Sequence, residues 1–567
     1  MISKEPVFYA RFFNRENAIF LIALLLITVS VSVIIMSLVP PVSRDELVHH
    51  LAVPKLYLKH GGIYEIPYMD FSYFPMNLDL LYMIPLYFGN DIAPKFIHFI
   101  FAIFTAWLLF GYLKKRAGTV YGLSGALLFT TIPVIVKLSI TAYVDLGVIF
   151  FTFASLLLVI KWLNEGFRKR YLFYAGIMCG MALGTKYSAI VSLALISLFV
   201  PFLYSRHTCD KKRLMPRSIL HFMVFFLTAI AVFSPWMIRN YHWKENPIYP
   251  LYNNVFNPPI QRSVENSEKI TEKRADQNRG ELTYRGIVYG ESGLEIAMLP
   301  LRIFFQGKDD EPRLFDGRLN PFLVIFSVFA FFPKKNIPAT IRRENLIIVS
   351  FSFLYILIAM FTTAMRIRYI SPIIPPLIVL SILGVKNLFE ISREMTSGFA
   401  RSIGSVSVIL LLLISLAMNV SYGVELFGRV KPLPYIMGSI TRDEYISGFI
   451  PEYPALKFVN KTLPEDSKIL FVYLGRRGYY CDRDYVTDDA LFTRAILTSN
   501  SPDMILSSLK KRGITHILVS LPVFDKWVKD NCSEEKQEML KTFFREYTMP
   551  LFYENGIGLN ELIKRNM

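Results

Sequence analysis

Cysteine is scarce: only Cys179, Cys209, Cys481 and Cys532 occur in 567 residues. None forms a CxxC pair, which argues against a zinc site. Cys481 and Cys532 share the C-terminal region and read as two free thiols in preference to a disulfide. No glycine-rich phosphate loop follows the β-rich runs near the C-terminus, so nucleotide binding has no support. No internal repeat is present. No small-residue cleavage site follows the first apolar run, which is therefore kept as an anchored span. Acids are outnumbered, with 45 Asp and Glu against 62 Lys and Arg and a formal charge of +17. In a soluble protein that balance would point to nucleic acid. Here no nucleic-acid motif accompanies it, and much of the basic charge lies in short loops between apolar runs, where it sets topology.

Apolar residues are abundant. The chain is 53% hydrophobic, contains 47 Phe and has a mean hydropathy of +0.38. That is too apolar for one soluble core, and it implies a polytopic α-helical membrane protein with a soluble appendage. Residues 18–40 carry no charge and are long enough to cross a bilayer. Further runs occur near 93–113, 119–138, 143–162, 171–185, 187–204, 219–238, 320–333, 345–364, 370–385 and 403–420. Alternate gaps are basic: Lys114 to Arg116, Arg168 to Arg170, Arg206 to Arg217, Lys334 to Arg343 and Lys386 to Arg401. With the basic N-terminus they mark the cytoplasmic side of a cytoplasmic membrane. Basic clusters on both sides of 171–204 require an even number of crossings there, hence two short spans. The reading is about eleven spans over 1–420, N-terminus inside, and an extracytoplasmic α/β domain over 421–567.

All large connections then fall on the outer face. Loop 41–92 contains DELVHHLAVPKLYLKH, which predicts a short helix on the membrane, and a second amphipathic stretch, MNLDLLYMIPLYF, over 76–88. Loop 239–319 has a polar centre (260–283) and an apolar stretch from Leu294 to Phe305. In the C-terminal region, KILFVYL (468–474), SPDMILSSLKKRG (501–513) and THILVS (515–520) follow the rhythm of a small βαβ unit.

Chemistry concentrates at that face. Arg44-Asp45-Glu46 directly follows the first span. Asp45 reads as a general base or as a helix N-cap. In a helix, Asp45 with His49 and Glu46 with His50 would be i,i+4 pairs, so the histidines read as partners of the acids. Asp145 opens the fourth apolar run, where an unpaired carboxylate is costly. It is either a cap or a second site acid. Two acids from separate loops could converge on one substrate, or on a divalent cation such as Mg²⁺ or Mn²⁺. Outer-side cations form the third group: Lys55, Lys59, Lys186, Arg239, Arg366 and Arg368. Casual Lys or Arg is disfavoured there, and an anionic lipid phosphate would explain them; snorkelling to bulk headgroups is the alternative. Together these residues fit a carboxylate that deprotonates an acceptor while cations stabilise a phosphate leaving a sugar.

At this point the chain resembles the GT-C superfamily of polyprenyl-phosphate-sugar-dependent glycosyltransferases. The likeness is closest to the branch of protein O-mannosyltransferases and the lipid A aminoarabinose transferase. It rests on Arg44-Asp45-Glu46, Thr141 to Asp145, Gly184-Thr185-Lys186-Tyr187, Pro235 to Asn240 and Arg368 to Pro372, with Phe315-Asp316-Gly317 beside them. The resemblance implies Asp45 as base with Glu46 and Asp145 as companion acids. It also implies binding of the lipid phosphate by Lys186, Arg366 and Arg368, and the full candidate set for lipid phosphate or sugar adds Arg44, His49, Lys55, Arg239 and Tyr369. The expected partners are a polyprenyl-phosphate-linked sugar, a glycan, lipid or protein acceptor, and membrane lipids. No cofactor is assigned; a metal would sit on Asp45 and Asp145. The rival readings are a secondary transporter, which calls for midplane charges and repeats, and a non-catalytic envelope assembly protein.

Overall fold

The computed structural model describes residues 15–209, 212–258, 281–332 and 337–563. The basic N-terminal segment before residue 15, most of the polar centre of the second large loop, and Lys334 lie outside the described residues.

The apolar runs become helices because a chain in lipid must satisfy its backbone internally. They are α1 (Arg15–Ser37), α4 (Ala93–Ala117), the pair α5 (Thr119–Thr131) and α6 (Pro133–Ser139), α7 (Asp145–Asn164) and α8 (Lys169–Thr185). After these come α9 (Tyr187–His207), α10 (Leu214–Lys244), α11 (Phe322–Phe331), α12 (Ala339–Thr362), α13 (Ile367–Arg393) and α14 (Gly398–Val430). The loop after the first span contributes α2 (Ala52–Lys59) and α3 (Asn77–Tyr87). Among the described residues, eight helices are long and apolar enough to cross a membrane, or nine counting α5 with α6, which bend by 68° at Pro133. The expected eleven runs are all helical. The two below full span length are α11 and the 17-residue α8, which at 1.5 Å per residue reaches only about 26 Å. α13 lies deepest in the bundle, while α1 and α14 are mostly uncovered at its edge.

The C-terminal region holds one five-stranded sheet in the order β2-β1-β3-β5-β4. Its strands are β1 (Lys468–Val472), β2 (Asp484–Val486), β3 (His516–Ser520), β4 (Thr548–Glu554) and β5 (Ile557–Leu562). β1 is parallel to β2 and β3, as the βαβ reading requires, and β5 pairs antiparallel with β3 and β4. The two helices between β1 and β3, Asp489–Thr498 and Pro502–Lys510, pack on one face. The other face shares its core with the loop after the first span: Leu47, Leu51, Tyr57 and Leu78 are continuous with Leu456, Phe471, Tyr479 and Tyr485. All four cysteines are free, with Cys481 and Cys532 in different cores.

Candidate functional site

Asp45 lies just outside the first span, immediately before a π-helical turn, Glu46–His50, in which the Leu51 N–H reaches back to the Glu46 carbonyl at 2.9 Å. The wider turn separates the acid–histidine pairs expected of an α-helix. Glu46 is 1% exposed, and its two oxygens accept from the backbone N–H of Ser43 (2.9 Å) and Ala142 (2.5 Å). It therefore ties the loop after the first span to the loop that carries Asp145. His50 instead meets Asp79 of α3, with Nδ1 and Oδ1 2.6 Å apart, and His49 stacks on Phe71 at 4.4 Å. Burial pushes the His50 imidazole down and the Asp79 carboxyl up, so it disfavours the charged form of both partners. Burial also raises the Glu46 carboxyl, outweighing the nearby Lys95 charge and the two N–H donors.

Asp145, 2% exposed, receives a 2.7 Å bond from Lys186 Nζ. Its loop is held by His98: Nδ1 lies 2.8 Å from the Thr141 carbonyl oxygen, while Nε2 accepts from the Leu146 N–H at 2.9 Å. Arg368 bonds the Asp45 carboxylate, and its charge also acts on Asp145. Arg368 and Lys186 both lie over the Tyr369 ring, at 5.2 and 5.4 Å, and Arg368 also covers Tyr143 at 5.5 Å. The two acids and two cations of four separate segments thus form one cluster. Burial opposes ionisation of Asp45, but the charge of the Arg368 guanidinium that bonds it outweighs this and holds the carboxyl well below its usual range. Nδ1 of His49, Oδ2 of Asp145 and Nε of Arg368 are buried without a hydrogen-bond partner among the described residues. A buried polar atom so placed is unfavourable unless a ligand engages it.

The other expected cations stand elsewhere. Lys55 donates to the carbonyls of Tyr479 (2.7 Å) and Cys481 (3.2 Å) and to Asp482 (2.7 Å), so it clamps the C-terminal region onto α2. Lys59 does the same through Asp484 at 2.7 Å. Arg239 donates to the Tyr73 and Phe74 carbonyls at 2.6 and 3.2 Å and lies between Trp236 and Trp243, bracing the aromatic turn. Arg366 pairs with Asp316 at 3.5 Å, and Arg44 is exposed at the cluster's edge. Gly184 is required because a Cβ there would sit 2.2 Å from Asn77 Nδ2, and Asn77 accepts from Trp236 Nε1 at 2.8 Å. Asp79, Tyr143 and His98 were not singled out from sequence, although an acid inside the apolar stretch 76–88 was itself a signal. As for a divalent cation, both acids face cations, and among the described residues no three His, Cys, Asp or Glu converge. This donor set does not fit a metal.

Residues 83–238 match the family model described as dolichyl-phosphate-mannose-protein mannosyltransferase. No curated protein matches the chain in sequence. ArnT from Cupriavidus metallidurans, solved bound to undecaprenyl phosphate, superposes with a TM-score of 0.53 at 14% identity, covering 96% of this chain and 97% of that one. AglB, the oligosaccharyltransferase of Archaeoglobus fulgidus, solved with an inhibitory peptide and a dolichol-phosphate, gives 0.52 at 10% identity, covering 96% and 74%. The chain has the GT-C fold. Within that GT-C fold, the family-matched segment spans α4 to most of α10 and includes Asp145, Lys186 and the Trp236 brace.

Proposed function

We propose that the chain is a membrane glycosyltransferase that moves a sugar from a polyprenyl-phosphate carrier to a hydroxyl-bearing acceptor. The observation that carries this reading is the convergence of Asp45–Arg368 and Asp145–Lys186 beside unpartnered polar atoms at the membrane edge. An arriving donor phosphate competes with the carboxylates for Arg368 and Lys186, because phosphate accepts strong charge-assisted bonds from both. Once Arg368 turns to the phosphate, Asp45 loses the charge that suppresses its basicity. It then takes the acceptor hydroxyl proton on a carboxylate oxygen. The acceptor oxygen bonds to the anomeric carbon as the carbon–phosphate oxygen bond breaks, and that electron pair leaves with the polyprenyl phosphate. Direct displacement inverts the anomeric centre. The two cations stabilise the charge developing on the leaving phosphate.

Glu46, His98 and Asp79 are positioning residues in this scheme: they hold the loops and the turn that present Asp45 and Asp145. Reaction at the extracytoplasmic face of the cytoplasmic membrane, with the N-terminus inside, is supported by the alternate basic gaps and by the C-terminal region docking on the first outer loop. The acceptor class is a glycan, a lipid or a protein. The test is binding of undecaprenyl phosphate to the purified protein in nanodiscs. Arg368→Gln with Lys186→Gln should abolish it while the thermal transition is retained; undiminished binding would refute the reading.

A further inference from the structure

A second built feature lies at the far end of the bundle from the acids. α4 and α7 start at the site, through His98 and Asp145, and run away from it. After roughly 28 Å of α7 they end together at a groove of about 540 Å³. Trp107, Leu108, Leu157 and Ile160 form apolar walls, and Trp107 is 68% exposed on the lipid-facing side. Lys114, Lys115 and Lys161 rim the groove, and none has a carboxylate partner among the described residues. The neighbouring Arg116 is neutralised by Glu344 at 2.5 Å, in a network with Tyr112 and Asn164, which leaves three lysines against one acid, Glu165. Gly111 lines the groove without a side chain, and nothing lies within 4 Å of where its Cβ would be.

We propose that this groove binds a glycerophospholipid with an anionic headgroup, independently of the transfer reaction. The apolar walls suit an acyl chain, and the lysine rim suits the headgroup phosphate, in a volume typical of ligand sites. Lysines in a last helical turn also complement the helix dipole, but that role asks nothing of Gly111. The two explanations therefore separate experimentally.

The experiment is native mass spectrometry of the full-length protein titrated with phosphatidylglycerol or phosphatidylcholine, with glycerol 3-phosphate as a soluble competitor. One phosphatidylglycerol should be retained in preference to phosphatidylcholine. Lys114→Gln, Lys115→Gln and Lys161→Gln together should weaken retention about a hundred-fold. Gly111→Leu, which adds a bulky side chain to the groove's lining and leaves every charge, should also weaken it at least ten-fold, whereas Gly111→Ala should leave it near wild type. Glycerol 3-phosphate should not compete, because it lacks the acyl chain. Equal retention of the two lipids, an undiminished triple variant, or competition by the soluble phosphate would overturn the proposal. Loss in the triple variant with normal Gly111→Leu would equally overturn it, by reducing the groove to bare surface charge. Thermal transitions of each variant identify any that fails to fold, and Gly111→Met then replaces Gly111→Leu.

Discussion

Replacing Asp45 by Asn should separate binding from chemistry and make the two move in opposite directions. Asn keeps the size of the side chain and any helix-capping ability, and removes the negative charge. The side chains of Asp45 and Arg368 are only 23% and 13% exposed, so their bond is partly buried. A hydrogen bond to a charged group is worth about 1.5–3 kcal/mol. In the wild type the donor phosphate must displace that bond; in Asp45→Asn it does not. Affinity for undecaprenyl phosphate should therefore rise roughly ten- to a hundred-fold. Turnover should fall about a hundred- to ten-thousand-fold with loss of the base. The free Asp45 carboxyl is held below its usual range, chiefly by Arg368 working against burial, so the ion pair persists across neutral pH. Its contribution to folding is present above the unfolded carboxylate value of about 3.9 and is lost as pH falls through the lower folded value. In the donor complex, with Arg368 engaged by the phosphate, activity should instead be lost as pH falls through the ordinary carboxylate range. The assays are calorimetric binding of the lipid phosphate and single-turnover transfer with the protein in nanodiscs. Near-wild-type turnover would remove Asp45 from the chemistry, and weaker lipid binding would refute the exchange of carboxylate for phosphate.

Three further outcomes follow from the same geometry. Glu46→Ala strands the N–H groups of Ser43 and Ala142 and should cost about 2–5 kcal/mol of stability, read as a lower denaturation midpoint; an unchanged midpoint would deny Glu46 its positioning role. Lys55→Met removes three acceptor contacts to 479–482 and should raise hydrogen exchange across that segment, while protection as in the wild type would show that Lys55 does not clamp it. Cys481 is buried, so it should resist an impermeant thiol reagent, whereas Ser507→Cys on an exposed helix face should label in intact cells and Cys209 only after permeabilisation. Labelling of Cys209 in intact cells would reverse the assigned orientation.

Much of this architecture was written in local pattern. Long apolar runs must be helical in lipid wherever they fall, so all eleven were legible without knowing their neighbours. The β-rich runs at 468–474 and 515–520 were likewise visible, because a buried parallel strand needs a continuous apolar stretch. Asp45, Asp145, Lys186 and Arg368 stood out because a charge at a span's edge is costly unless something pairs it.

What the sequence by itself could not decide was the pairing. Arg368 and Asp45 are 323 positions apart, and Lys55 and Tyr479 are 424 apart, so no local rule links them. Lys55 and Arg368 look alike as isolated cations, and only packing sends one to a carbonyl cage and the other to the acids. The π-helical turn likewise directs His50 to Asp79, because one wider turn rotates every following side chain, while Glu46 at its start is engaged by the N–H groups of Ser43 and Ala142. Residue type and hydropathy determined which groups are expensive to bury at this membrane edge; tertiary contact alone decided which of them satisfy one another and which face a ligand.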